Sequence, residues 1–310
     1  MRHLRNLADA RLETESVVTI GVFDGVHRGH QALASELVQR ARQSGRNAVV
    51  VTFFPHPDKV LDLTEEHYYL TQPDERAKLL LDLGVDLVIT HPFDEATRRL
   101  RAVDFVTLLL RHLQLRELRV GAEFALGFQR EGDIAFLRAQ GHDRGFQVAT
   151  VAPVTAHGER IRSSDLRDLV RAGDVQSAAA LLGRNYSLSG EVVMGEQRGR
   201  RIGFPTANLA VWREQIVPAR GVYAAWAQVA GQRHMAATNI GLRPTFGGES
   251  LSVEAHLLDF SGELYGARMT LAFVERLRRE QKFASLDELT AQIGADVEAV
   301  RARLSGGSAT

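Results

Sequence analysis

The sequence predicts two domains of different class: an α/β domain on a parallel, doubly wound sheet, then an antiparallel β domain closed by a terminal helix. Three observations carry this. Over about the first 180 of 310 residues, short apolar runs alternate with helical periodicity, as in a parallel sheet with crossover helices. From Tyr186 to Val274 that periodicity fades, and strand-like runs are punctuated by glycine and proline, as in an antiparallel barrel or sandwich. The length suits two domains of ~100–200 residues each.

In the first half, strands are expected at Ser16–Gly21, Asn47–Phe53, Asp86–Thr90, Leu118–Gly121 and Phe146–Val151. Helices are expected at Gly29–Arg42, Pro73–Leu83, Val103–Leu113 and near Gly132–His142. Ser163 and Ser164 can cap a helix through Val170, and Asp174 another through Leu182. The domain border is placed near Gly183–Asn185, giving 1–184 and 185–310. The second half offers strands at Ser187–Val193, Gly221–Val229, Ala236–Ile240, Ser252–Leu258 and Met269–Val274. Ser285 and Glu288 form a capping box ahead of an apolar stripe, Leu289, Ile293, Val297 and Val300. No internal repeat is visible.

Composition narrows the function. Lys plus Arg and Asp plus Glu both number 38, which argues against a coat for nucleic acid or for an anionic membrane. Cysteine is absent, so disulfides, thiolate catalysis and cysteine metal sites are excluded. The N-terminus is charged, without the apolar run of a signal peptide, and no window reaches the ~18–20 apolar residues of a membrane span. A cytoplasmic protein is expected.

Two segments carry chemistry. The first is Gly21-Val-Phe23-Asp24-Gly25-Val-His27-Arg-Gly29-His30, between the first strand and the first helix. Its glycines permit a tight turn, and the helix start offers unpaired N–H groups to a phosphate. His27 and His30 can donate to phosphate oxygens as charge builds on a leaving group. A metal site there would need further ligands that no cysteine supplies. The second segment is Gly203-Phe-Pro205-Thr206-Ala-Asn208. Read alone it is a turn, yet Thr206 and Asn208 also offer two oxygen ligands on one side of an extended chain. Further on, Glu254 and His256 alternate with Val253, Ala255 and Leu257. Glu254 is either a solvated face or, beside a phosphate, a general base. Arg198, Arg200 and Arg201 read most simply as a solvated hairpin.

The first segment resembles the HxGH nucleotidyltransferases, a Rossmann-like family. Its second phosphate-binding segment would be Ile161-Arg-Ser163-Ser164-Asp-Leu-Arg167. The whole chain from about Val17 resembles the bacterial bifunctional riboflavin kinases and FAD synthetases. GFPTANL, PARGVYA, TNIGLRPTFGG, VEAHLLDF and ELYG follow in that family's order.

The resemblance implies two reactions: MgATP phosphorylates riboflavin to FMN, and ATP adenylylates FMN to FAD with release of pyrophosphate. ATP, riboflavin and FMN are then substrates, and FMN and FAD are not prosthetic groups. Glu254 matches the kinase base, and Thr206 and Asn208 the metal and phosphate pair. Gly203 and Pro205 belong to the same ATP site. Gly21, Phe23, Asp24, Gly25, Gly29, Ser163, Ser164 and Arg167 fall to the ATP of the first domain. Phe54, Pro55, Pro57, Glu123, Phe124 and Arg243 fall to the flavin. The chain departs from the family pattern at Phe54, Glu123 and Arg162. Those departures motivate an alternative, a riboflavin kinase with an impaired or altered front domain. A flavin-binding regulator without turnover is a third reading. Oligomeric state is not legible.

Overall fold

The computed structural model describes residues 2–61, 68–152, 155–156, 159–195, 199, 202–245 and 248–306. The chain divides into two compact units, Met1–Ser163 and Ser164–Thr310.

The first unit runs β1 (Arg2–Leu4), β2 (Ser16–Ile20), α1 (Arg28–Gln43), β3 (Asn47–Phe54), α2 (Pro57–Val60), α3 (Pro73–Asp82) and β4 (Leu87–Pro92). It continues with α4 (Glu95–Arg99), α5 (Ala102–Leu113), β5 (Leu115–Gly121), α6 (Ile134–Arg144) and β6 (Gln147–Val151). A two-stranded hairpin, β7 (Thr155–Ala156) with β8 (Glu159–Arg160), follows. The six-stranded sheet has the order β1-β4-β3-β2-β5-β6 and is parallel throughout. Both faces are covered. Val18, Ile20, Val49 and Val51 pack with α5, while Val17, Ala48, Val50 and Val88 pack with α1 and α3. Burial on both faces is why these strands read as unbroken apolar runs. The sequence anticipates five of the six strands. β1 is three residues, two of them Arg and His, and no alternation marks so short a segment.

Two helices follow, α7 (Ser163–Ala172) and α8 (Val175–Leu182), and Asp174 caps the second by accepting from Ser177 N. Next come β9 (Tyr186–Val193), β10 (Ala207–Val211), β11 (Gly221–Val229), β12 (Gln232–Thr245), β13 (Gly248–Leu257), β14 (Arg268–Arg279) and the terminal helix α9 (Leu286–Ser305). The six strands close into a barrel in the order β10-β13-β12-β11-β14-β9, every pair antiparallel. This settles barrel over sandwich. β10 closes it, pairing with both β13 and β9. The sequence hides β10 because Pro205 just before it signals a turn. α9 lays Val297, Val300 and Leu304 against the barrel beside Ala224 and Leu258. Ser285 accepts from Glu288 N at 3.2 Å, and the Glu288 carboxylate accepts from Ala284 N at 3.0 Å.

Candidate active sites

In the first unit the site grows from the end of β2, the sheet's centre. Parallel sheets bind ligands at the carboxyl ends of their strands. The loop after Ile20 curls tightly: Phe23, Gly25 and Val26 all have positive φ, at 56°, 81° and 41°. Such a curl needs external support, and Asp24 supplies it. Its carboxylate, 1% exposed, accepts from Leu70 N and Thr71 N, and the Thr71 hydroxyl accepts in turn from Gly25 N. Arg76, fully buried, donates to the carbonyls of Val22 and Phe53 at 2.8 and 3.2 Å. The Ser163 hydroxyl donates to the Asp24 carbonyl at 3.1 Å. Phe23 is buried and lies 5.0 Å, centroid to centroid, from His30. Phe23 and Asp24 are thus interior supports of the loop.

His27 caps α1. Its Nδ1 accepts from Gly29 N at 3.1 Å and His30 N at 3.3 Å. The neutral ring therefore carries its proton at Nε2. His27 and His30 stack at 3.7 Å with 19° between their planes. A Cβ at Gly29 would lie 3.0 Å from the His27 ring, so glycine lets the cap ring fold back on the helix. The His30 pKa is held well below its ordinary value, by burial first and then by His27, Arg76 and Arg160. Among the described residues, its buried Nδ1 has no hydrogen-bond partner.

Two cavities border this loop. One, of about 370 Å³, is lined by His27, Gly29, His30, Gly121, Glu123, Arg160, Arg162 and Ser163, among others. The Glu123 carboxylate accepts from Arg160 there at 2.6 Å. The other, of about 750 Å³, is mostly apolar, with Gly21, Phe53, Pro57, Phe93, Phe105, Phe124 and Phe128 in its wall. Of the residues expected at a flavin, Pro57 and Phe124 line this cavity and Glu123 the smaller one. Phe54 and Pro55 line neither. Phe54 instead packs on Tyr69 at 5.6 Å. Strand alternation sends Phe53 and Phe54 to opposite faces of β3, and Phe53 is the one in the cavity wall. Ser164 is exposed at the start of α7, its hydroxyl donating to Asp165, and Arg167 is buried on the same helix.

In the barrel unit, Glu254 on β13 lies directly across from Asn208 on β10 and from Asn239 on β12. The Thr206 hydroxyl donates to the Glu254 carboxylate at 3.4 Å. Thr206, Asn208 and Glu254 therefore come together where β10 starts beside β13. Two supports were missed. His256 Nδ1 lies 2.8 Å from the Pro205 carbonyl, pinning the turn that presents Thr206. A Cβ at Gly195 would come within 2.2 Å of the Asn208 amide, so the strand-end backbone packs flat on that side chain. Gly203 has φ +86°, a conformation that favours glycine. Pro205 and Thr206 line a cavity of about 410 Å³ together with Phe260 and Tyr265. Arg243 on β12 pairs with Ser250 on β13, and its side chain is outside the described residues, as are Arg198, Arg200 and Arg201. Among the described residues, no group of three or more His, Cys, Asp or Glu is arranged to hold a metal ion.

Comparison with known proteins follows the same division. The family model described as FAD synthetase matches residues 9–165, and that described as riboflavin kinase matches 182–304. A relative from Escherichia coli strain K12 is 39% identical over 298 residues, covering 96% of this chain and 95% of its own; it is named a bifunctional riboflavin kinase/FMN adenylyltransferase. The chain belongs to this bifunctional family. A member from Bacillus subtilis strain 168, bearing the same name, is 35% identical and is covered over 93% of both chains. A crystal structure from Streptococcus pneumoniae, named a macrolide-efflux protein, has the same fold: TM-score 0.87, 30% identity, 97% of this chain and 98% of that one. Among the described residues, no helix here is long and apolar enough to cross a membrane. Within this bifunctional family, the FAD synthetase match falls on the parallel-sheet unit, and the riboflavin kinase match on the barrel and α9.

Proposed function

We infer that this chain makes FMN from riboflavin and ATP in its barrel, and FAD from FMN and ATP in its parallel-sheet domain. The observation that supports this most is the survival of both constellations in one chain: the stacked His27–His30 pair on a helix start, and Thr206, Asn208 and Glu254 at one barrel edge. The domain border is proposed at 184/185, just after Gly183 ends α8 in the left-handed region at φ +72°.

In the kinase step, Glu254 takes the proton of the ribityl hydroxyl as that oxygen attacks the γ-phosphorus. The bond from the γ-phosphorus to the bridging oxygen breaks, and ADP leaves. Thr206 and Asn208 offer a hydroxyl and an amide oxygen, hard donors that suit Mg²⁺ carried with the ATP phosphates, whose chemistry there is charge neutralisation. The rest of the catalysis is positioning, which explains the bracing of Thr206 through Pro205 and His256.

In the adenylyl step, an FMN phosphate oxygen attacks the α-phosphorus and pyrophosphate leaves. The nucleophile is already anionic and needs no base. His27 Nε2–H donates to the phosphate oxygens, and Gly29 and the α1 start bring backbone N–H groups near them. His30 enters neutral and gains a proton more readily once an anion arrives beside it. Ser163, Ser164 and Arg167 are assigned to the same nucleotide. The isoalloxazine is assigned to the 750 Å³ cavity, whose aromatic wall suits a flat, mainly apolar ring. Arg243 is kept as a proposed flavin contact of the kinase. A cytoplasmic location fits the substrates.

His30→Ala is expected to abolish FAD formation and keep FMN formation. Glu254→Ala is expected to lose FMN formation and keep FAD formation from supplied FMN. Loss of both activities from either folded variant would overturn the two-site assignment.

A further inference from the structure

Glu123 occupies a position where the resemblance expects a flavin contact, and the structure commits it elsewhere. Its backbone carbonyl accepts from Arg130 at 3.0 Å, and Arg130 lines the 750 Å³ cavity. Its carboxylate accepts from Arg160 at 2.6 Å, and both side chains belong to the 370 Å³ cavity that holds His27 and His30. Residues 121–123 border the smaller cavity and 124–130 the larger. Glu123 stands at their junction, tied to one arginine on each side.

We propose that Glu123 is a positioning residue for adenylyl transfer: it holds Arg160 at the mouth of the histidine cavity, ready for the ATP oxygens that leave as pyrophosphate. The inference rests on the adenylyl-transfer reading above and deepens it. The pair has little structural purpose. Glu123 is 80% exposed and Arg160 46% exposed at the side chain, and ion pairs of that kind contribute almost nothing to a fold. Its electrostatic purpose is clear. A bare carboxylate beside a triphosphate would repel it, and Arg160 cancels that charge. Arginine has five donors in a planar fork. One spent on Glu123 leaves the others for phosphate. Arg160 sits on β8, a two-residue strand, and its side chain is about half exposed. The Glu123 contact restricts its rotamers before ATP binds, which lowers the ordering cost of binding. The positive charge of Arg160 already reaches His30, where it helps to keep the imidazole neutral. Arginine and imidazole thus address the same small volume.

The test is steady-state FAD formation by Glu123→Gln, Arg160→Ala and the double variant, with riboflavin phosphorylation by the same samples as the folding control. Glu123→Gln keeps the shape and removes the charge. It is expected to raise KM for ATP about two- to fivefold, the upper part of the scale of an exposed charge pair, and to leave KM for FMN unchanged. Arg160→Ala is expected to raise KM for ATP by about tenfold or more. The double variant is expected to be no worse than Arg160→Ala and to recover part of its loss, because Glu123 has nothing left to position and its bare carboxylate no longer repels ATP. A rise in KM for FMN alone, or effects that multiply in the double variant, would overturn the proposal while leaving adenylyl transfer intact. A wild-type protein that forms no FAD would overturn the adenylyl-transfer reading itself, and this proposal with it.

Discussion

A methyl group at Gly29 would press on the His27 ring, 3.0 Å from Cε1 and 3.1 Å from Nδ1. That ring caps α1 and is the proposed phosphate donor, so it cannot retreat without losing the cap. Gly29→Ala is therefore expected to lower FAD formation at least about tenfold and to cost about 1 kcal/mol of stability, the usual worth of a cap. Riboflavin phosphorylation should be untouched. Unchanged FAD kinetics would show that the cap geometry does not matter. The two histidines stood out by their spacing at a strand-to-helix turn, whereas Thr206, Asn208 and Glu254 read alone as a turn and a solvated face and were singled out through the family resemblance. Their supports were not legible. Thr71 and Arg76 reach the Gly21–His27 loop from 46 and 54 residues away, and only the folded sheet brings them there. Phe53 and Phe54 are indistinguishable in sequence. Which one meets the cavity depends on the pleat.

At the scale of elements, α9 is fastened to the barrel by more than its apolar stripe. Asp296 is 5% exposed and accepts from Arg278 Nε at 2.9 Å and Nη2 at 2.7 Å, and from Gln292 at 3.0 Å. Removing one partner of a buried pair leaves the other uncompensated. Arg278 keeps some contact with solvent, which moderates the loss. Asp296→Ala is expected to cost about 2–3 kcal/mol, read by urea unfolding followed through tryptophan fluorescence, since Trp226 packs in the same cluster as α9. A loss below ~0.5 kcal/mol would place the pair among solvated ones. The stripe Val297–Val300 was legible from periodicity. The charged anchor was not, because Asp296 lies among helix residues that read as solvent-facing. β10 was hidden for the opposite reason, a local proline overriding a short strand.

Across the whole molecule, ionisation is unevenly distributed. His3, His30 and His91 all have lowered pKa values, each with burial as the main cause, and all three lie in the first unit. Their folded pKa values lie below the ordinary 6.5, so the unfolded chain binds more protons than the fold. This stability is complete above that pH and is lost as pH falls below it. Both tryptophans, Trp212 and Trp226, lie in the second unit. Helices lie in both units, so between pH 7.5 and 5.5 the part of the helix circular dichroism transition that tryptophan does not follow should fall further than the transition followed by tryptophan. Equal shifts would contradict the assignment. The change of fold class between the two halves was the most legible feature of the sequence, because helical periodicity gives way so abruptly to strands; the two activities came from the resemblance. That change also underlies the placing of two reactions in one chain. The most direct measurement runs the half-reactions separately on one preparation: riboflavin with MgATP, then FMN with MgATP, products resolved by chromatography. FMN and ADP are expected from the first, FAD and pyrophosphate from the second. FMN without FAD would contradict the two-site reading, and would leave a kinase whose front domain does something else.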